Sequence, residues 1–250
     1  MVVAILAFGL AGLLIGSFLN VVVWRLPRGE SLMRPGSACP GCRTPIKPYD
    51  NVPVLSWLVL RGRCRSCGAR IAGRYPAVEV ATAALYAAVA VGRHGALDIA
   101  LGLLLVTALV PITLIDLDLR LIPNRITLPA AIAAVVAALI LDVSFVPEQL
   151  IAGAAAGGFF LIAALAYPRG MGMGDVKLAG MLGLFLGRAV LPAFFVAFAL
   201  GTFLGVGIML RKGMHAGRKT AVPFGPFLAI GGVVGLLAGD ELVQLYLDTF

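Results

Sequence analysis

The sequence predicts an all-α polytopic membrane protein, with eight transmembrane helices and a small cytoplasmic zinc-ribbon-like domain after the first of them. Three observations lead there. Hydrophobic residues make up 60% of the 250, charged residues only 13%, and the mean hydropathy is +1.01; a soluble domain carries about 25% charged residues. The charges are gathered into short stretches between long uncharged runs, most of them near the roughly 20 apolar residues that cross a bilayer as a helix. All four cysteines fall as two close pairs in the one sizeable polar stretch.

The first apolar run, residues 2–24, has no Lys or Arg ahead of it, and the basic residues follow it. A cleavable secretory signal has the opposite order, so this run is expected to stay as the first span. Further spans are expected at about 77–92, 97–115, 126–142, 149–167, 176–187, 189–209 and 222–239. The sixth is short and rich in Gly and Leu. Of the 20 Lys and Arg, 18 lie in alternate loops (25–75, 116–125, 168–177 and 210–221), and only Arg93 and Arg188 fall on the other side. Half of the acidic residues, Asp240, Glu241 and Asp248 among them, share that other side. The positive-inside rule then puts the basic loops in the cytoplasm and both termini outside. Leaving out the sixth span would carry the 210–221 loop to the wrong face. The net charge of +8 is therefore read as topology, not as a nucleic-acid surface, and Arg211, Lys212, Arg218 and Lys219 as an anchor on anionic lipid. Gly-rich runs such as 153–158 serve close helix packing. The chain divides into a first transmembrane helix (1–24), a cytoplasmic four-cysteine domain (25–76) and a seven-helix membrane domain (77–250).

Residues 25–76 hold Pro35, Pro40, Pro45, Pro48 and Pro53 with several glycines, the composition of turns and loops. A domain so small needs a staple. Cys39-Pro-Gly-Cys42 and Cys64-Arg-Ser-Cys67 are separated by 21 residues, the pattern of a closed four-thiolate zinc site. Gly41 and Gly68 suit the tight turns that would aim both sulfur pairs at one metal. Stable disulfides do not fit a cytoplasmic loop; a dithiol redox pair and four independent thiols are the other readings. Four thiolates leave no open position for catalysis.

Carboxylates at membrane depth are costly and mark functional sites. Asp116 and Asp118 end one apolar run in Ile-Asp-Leu-Asp-Leu-Arg-Leu-Ile-Pro-Asn (115–124), and Asp175 opens another in Gly-Met-Gly-Asp-Val-Lys (172–177). For Asp116 or Asp118 the ordinary reading is a solvated helix end paired to Arg120 or Arg125; for Asp175 it is an N-cap. A cap does not require Gly170, Gly172 and Gly174 beside it, which permit close backbone approach. The predicted topology puts Asp116 and Asp175 at one depth on one face, where a carboxylate pair sharing a proton can supply a base and an acid for amide hydrolysis. Such a pair titrates as a unit. No H-E-x-x-H or Ser-His-Asp set competes, and His94 and His215 read as solvated side chains. Glu79, just inside the second span, pairs with Arg74 or another loop arginine or helps to hold substrate.

Five stretches carry a resemblance. They are Gly16-Ser17-Phe18-Leu19-Asn20-Val21 with Arg25-Leu26-Pro27, the double C-x2-C segment, Arg74-Tyr75-Pro76-x-x-Glu79, Gly172-x-Gly174-Asp175 with Lys177-Leu178, and Pro223-Phe224-Gly225-Pro226-Phe227-Leu228. Together and in this order they resemble the type IV prepilin peptidases (leader peptidase/N-methyltransferases), membrane aspartic proteases of the GxGD type. The resemblance covers nearly the whole chain. It implies that Asp116 and Asp175 are the catalytic pair, with Asp118 the second choice for the first. It implies removal of the basic leader from prepilins or pseudopilins at the cytoplasmic face of the bacterial inner membrane. It also implies N-methylation of the new terminus with S-adenosylmethionine. No G-x-G-x-x-G after a strand supports the methyl donor, and no residues are assigned to it. The family often has an acid after the proline where this chain has Asn124.

Two other functions are weighed. A transporter or channel with a zinc-ribbon appendage would use the aspartates as a proton relay, but it predicts charges near mid-span on several helices, and these spans are almost free of them. A non-enzymatic assembly factor leaves the aspartates and glycines unexplained.

Overall fold

The computed structural model describes residues 2–167, 171–213 and 222–249. The expectations placed on Gly170, His215, Arg218 and Lys219 lie outside them. Nine α-helices are named here: α1 (Val2–Arg25), α2 (Leu55–Val59), α3 (Arg74–Gly92), α4 (Ala96–Leu119), α5 (Asn124–Leu141), α6 (Val146–Ala166), α7 (Met173–Leu186), α8 (Val190–Lys212) and α9 (Gly225–Leu247). Among the described residues seven segments are long and apolar enough to span a membrane, one of them the 39-residue stretch Met173–Arg211. That stretch is two helices, because a 3-10 turn at Gly187–Ala189, with Gly187 at φ +54°, reverses the chain. The sixth expected span is thus α7. Its 14 residues rise about 21 Å, short of a hydrocarbon core about 30 Å thick.

The helices overrun the apolar runs at their polar ends. Helix α4 continues through Asp116 and Asp118 to Leu119, α7 starts ahead of Asp175, and α9 runs on through Asp240 and Glu241. Hydropathy stops at the first charge, whereas the i→i−4 ladder stops only when a residue leaves the helical region. For α4 that residue is Arg120, left-handed at φ +54°, whose N–H caps the Asp116 carbonyl at 2.8 Å.

The chain forms two compact units, Met1–Gly92 and Arg93–Phe250. In the first, α1 and α3 lie antiparallel: a Cβ at Gly12 would sit 2.6 Å from the Ala83 Cα, and one at Gly16 would sit 2.8 Å from the Glu79 Cα. The Asn20 side chain donates to the Tyr75 carbonyl at 3.2 Å. Gly12, Gly16, Leu19 and Val22 form the buried stripe of α1, the small-residue contact by which helices meet in lipid. The cysteine loop joins their ends.

In the second unit α4 and α7 are the central helices. Half of the α4 window is buried, and α7 buries Val176, Leu178, Ala179, Met181, Leu182, Gly183, Phe185 and Leu186. Helix α9 joins them, since a Cβ at Gly232 would touch both Leu182 and Leu109. Helices α6 and α7 pack antiparallel through Gly153, Gly157, Gly180 and Gly183, and α8 and α9 do so through Gly201, Gly231 and Gly235. A Cβ at Gly183 would lie 2.5 Å from the Ala152 carbonyl oxygen. Gly183→Val is therefore expected to cost about 1–3 kcal/mol by overpacking, read as a lower thermal midpoint in detergent. Gly9→Ala, with nothing within 4 Å, is expected to leave the midpoint in place or raise it.

The two arginines that break the charge rule are both neutralised. Arg93 binds Asp240 at 2.8 Å and Arg188 approaches it at 3.7 Å, while the Arg188 N–H donates to Glu148 at 2.8 Å. These contacts fasten the α7–α8 turn to α6 and α9, at the end of α7 away from Asp175.

Candidate functional site

Three helix ends meet in the second unit. Asp116 stands one turn before the end of α4, Asp175 in the first turn of α7, and Gly225 at the start of α9. Asp116 is 5% exposed, and its Oδ2 accepts the Gly225 N–H at 3.1 Å. Asp175 is half-buried, and its Oδ2 accepts the Gly172 N–H at 3.2 Å. Asp175 is therefore the third residue of its helix, reaching back to the first free N–H, rather than the cap itself. Ile122 lies between the two sites: a Cβ at Gly174 would be 3.0 Å from its Cβ, and one at Gly225 would be 3.4 Å from its Cδ1. The same added Cβ at Gly225 would fall 2.5 Å from Asp116 Oδ2, so only glycine admits the carboxylate there.

Lys177 follows Asp175 on α7, and its ammonium donates to Asn124 Oδ1 at 3.0 Å. The asparagine that departs from the resembled pattern thus joins the start of α5 to the start of α7. Asp118, two residues on from the buried Asp116, is exposed. Pro111 inside α4 removes a ladder bond little more than a turn before Asp116, a standard cause of local bending.

In the first unit the four sulfurs lie within 4.8 Å of one another and could hold a metal ion. Cys39 and Cys67 are 3.8 Å apart and Cys42 and Cys64 4.0 Å apart. A tetrahedron with metal–sulfur bonds of about 2.3 Å has an edge of about 3.8 Å, whereas a disulfide needs about 2.05 Å. The spacing fits a shared metal. The two knuckles are built alike. The Cys39 and Cys64 N–H groups bond the Thr44 and Ala69 carbonyls, and the Arg43 and Gly68 N–H groups return to the Cys39 and Cys64 carbonyls. Their left-handed residues are Arg43 (φ +58°) and Gly68 (φ +71°). Gly41 lies within the first turn as expected, beside the sulfurs, where a Cβ would come within 3.9 Å of Cys39 and Cys67; the left-handed position itself falls on Arg43. Arg65, inside the second knuckle, grips Asp50 through Nε and Nη2 at 2.6 to 3.0 Å. That guanidinium holds the Asp50 carboxyl below the usual carboxylate range.

Glu79 is buried and accepts the Val54 N–H at 2.7 Å. Val54 has φ +61°, a conformation that costs a β-branched residue on the order of 1–3 kcal/mol. The carboxylate holds that strained turn onto α3. Glu79→Ala is expected to lower stability by about 1–3 kcal/mol and Glu79→Gln by less, measured as protease sensitivity of residues 53–60.

Sequence reasoning gave Gly225 no role and missed Ile122 altogether. The Pro-Phe-Gly-Pro-Phe-Leu stretch was a signal for the first; nothing marked the second.

A family model described as "Bacterial Peptidase A24 N-terminal domain" matches residues 10–92, ending where the first compact unit ends. A second, "Type IV leader peptidase family", matches residues 103–206. The chain is 39% identical over 272 residues to a "Prepilin leader peptidase/N-methyltransferase" of Aeromonas hydrophila, covering 96% of this chain and 93% of the relative. The protein of the same name from Pseudomonas aeruginosa is 38% identical (96% and 92%), and that from Bacillus subtilis 35% identical (94% and 95%). No solved structure matches.

Proposed function

Because the chain belongs to the type IV leader peptidase family, we propose that it is a membrane-embedded aspartic endopeptidase that removes the leader from prepilins or pseudopilins and N-methylates the new terminus. The observation that carries the peptidase assignment is the pair of aspartates at two helix ends. They lie 59 residues apart in sequence, and the one side chain of Ile122 borders both Gly174, next to Asp175, and Gly225, whose N–H binds Asp116.

Asp116 and Asp175 are the proposed catalytic residues. One of the pair holds a proton and the other acts as base. The base takes a proton from water as its oxygen attacks the scissile carbonyl, and the acid gives a proton to the departing amine as the C–N bond breaks. The Gly225 and Gly172 N–H groups each occupy one carboxylate oxygen, fixing rotamers with donors that cannot titrate. Lys177 and Asn124 hold α7 against α5 beside the pair. The proton-relay transporter would use the same aspartates, but it gives no reason for two backbone donors to pin them.

The four cysteines are proposed as a structural zinc site, since four thiolates close the coordination shell. S-adenosylmethionine would supply the methyl group; no side chains are assigned to it, and no step is derived through it. The basic loops, read by the positive-inside rule, support a position for the aspartates at the cytoplasmic face of the inner membrane, with lipid around the helices and no nucleic-acid partner. Incubating the purified protein with a prepilin in detergent, with and without S-adenosylmethionine, tests both activities. Leader release and methyl incorporation are expected, and an intact prepilin would reject the assignment.

A further inference from the structure

An apolar cavity of about 240 Å³ opens between α8 and the start of α9, lined by residues that include Phe198, Gly201, Thr202, Gly205, Phe224 and Phe227. Its wall holds a run of rings: Phe198 and Phe224 have centroids 5.7 Å apart and Phe224 and Phe227 6.1 Å, and the fully buried Phe160 stacks on Phe198 at 5.8 Å. Such contacts favour fixed ring positions. On α8, Gly201 and Gly205 stand one turn apart. A Cβ at Gly201 would rest on the Phe224 ring at 3.4 Å, and one at Gly205 would meet nothing within 4 Å. The space beside Gly205 is open.

Phe224 belongs to the cavity, and the next residue, Gly225, donates its N–H to Asp116. The apolar wall and the carboxylate therefore share one step of backbone. A groove that merely faced lipid would have no reason to end there. Apolar walls with a few polar groups, here the Thr202 hydroxyl, are the usual make-up of a small binding site.

We propose that this cavity is a substrate subsite that receives one large apolar side chain of the prepilin beside the scissile bond. The proposal rests on the peptidase assignment and adds a size preference to it. A hydrophobic pocket distinguishes side chains that differ by a methylene by about 10- to 200-fold, so filling or widening this one should move selectivity more than overall rate.

The test uses the full-length enzyme in detergent with prepilins that differ only in the residue on either side of the scissile bond, as Ala, Leu or Trp. At one of those positions the native enzyme is expected to prefer Leu to Ala in kcat/KM. Gly205→Leu places its side chain in the open space and is expected to lower that Leu-to-Ala ratio by about 10-fold or more. Phe227→Ala widens the wall and is expected to raise the Trp-to-Leu ratio by a similar factor. Should Gly205→Leu fail to fold, Phe227→Ala decides by itself. Unchanged ratios, whatever happens to the absolute rates, overturn the subsite; that is also the result if a lipid acyl chain fills the cavity. Asp116→Asn is assayed alongside. If it still cleaves, the peptidase assignment has failed. If it is inactive while the ratios stand still, only the subsite has.

Discussion

Asp116→Asn and Asp175→Asn are each expected to reduce prepilin cleavage by on the order of 10³-fold or more, while Asp118→Asn still cleaves. Positioned proton transfer is worth about 10²- to 10⁴-fold per group, and groups that act as a unit lose nearly everything when either is removed. Asparagine is the informative replacement. Its amide oxygen still accepts the Gly225 N–H at position 116 or the Gly172 N–H at position 175, the bonds each aspartate makes now. The helix ends therefore stay pinned, and what is lost is the proton. Asp118 sits exposed on the last turn of α4 and serves as the control for charge in the same segment. Leader release on a gel, beside the thermal midpoint of each variant, reads the outcome. Full activity in Asp116→Asn would remove it from the chemistry.

The parts of this molecule that could be read from sequence are those where physics leaves few choices. In lipid every backbone group must be bonded within the helix, so apolar runs became helices within four residues of their expected bounds, except that α9 runs eight residues past its expected end. An uncompensated carboxylate is costly there, so Asp116 and Asp175 stood out. Two C-x2-C pairs can bring four sulfurs together in few ways, and the sulfurs converge. The donor that fixes Asp116 is different in kind. It is a backbone N–H supplied from 109 residues away, and every residue but proline has one. Only the glycine hints at it, because a side chain there would collide with the carboxylate. Ile122 is invisible for a similar reason, since its place between Gly174 and Gly225 depends on the Arg120 turn that follows α4. Arg43 shows the limit of turn chemistry. The left-handed position of the first knuckle fell on an arginine, with a glycine two residues earlier reserved for room beside the sulfurs.

Replacing all four cysteines by serine is expected to abolish metal binding, from one zinc per chain to none, and to open residues 36–73 to protease. The cause lies in what else holds that loop. Its named helix, α2, is five residues long, too short to stand without tertiary support. Its remaining ties are short-range backbone turn bonds and a small set of side-chain contacts, among them the Arg65–Asp50 pair, the Glu79–Val54 bond and the Trp57 indole donating to the Ile71 carbonyl at 3.1 Å. Structural zinc contributes on the order of 10–16 kcal/mol to small domains at neutral pH, far above what those few bonds supply. Helices α1 and α3 should stay paired in the variant, because their contact rests on Gly12 and Gly16 and not on the sulfurs. Metal analysis and limited proteolysis with mapped cut sites separate these outcomes, with cuts in the loop and none in the helices. Zinc retained by the four-serine protein would place the metal elsewhere. Loss of zinc without new cuts would mean that the loop is held by its polar ties alone.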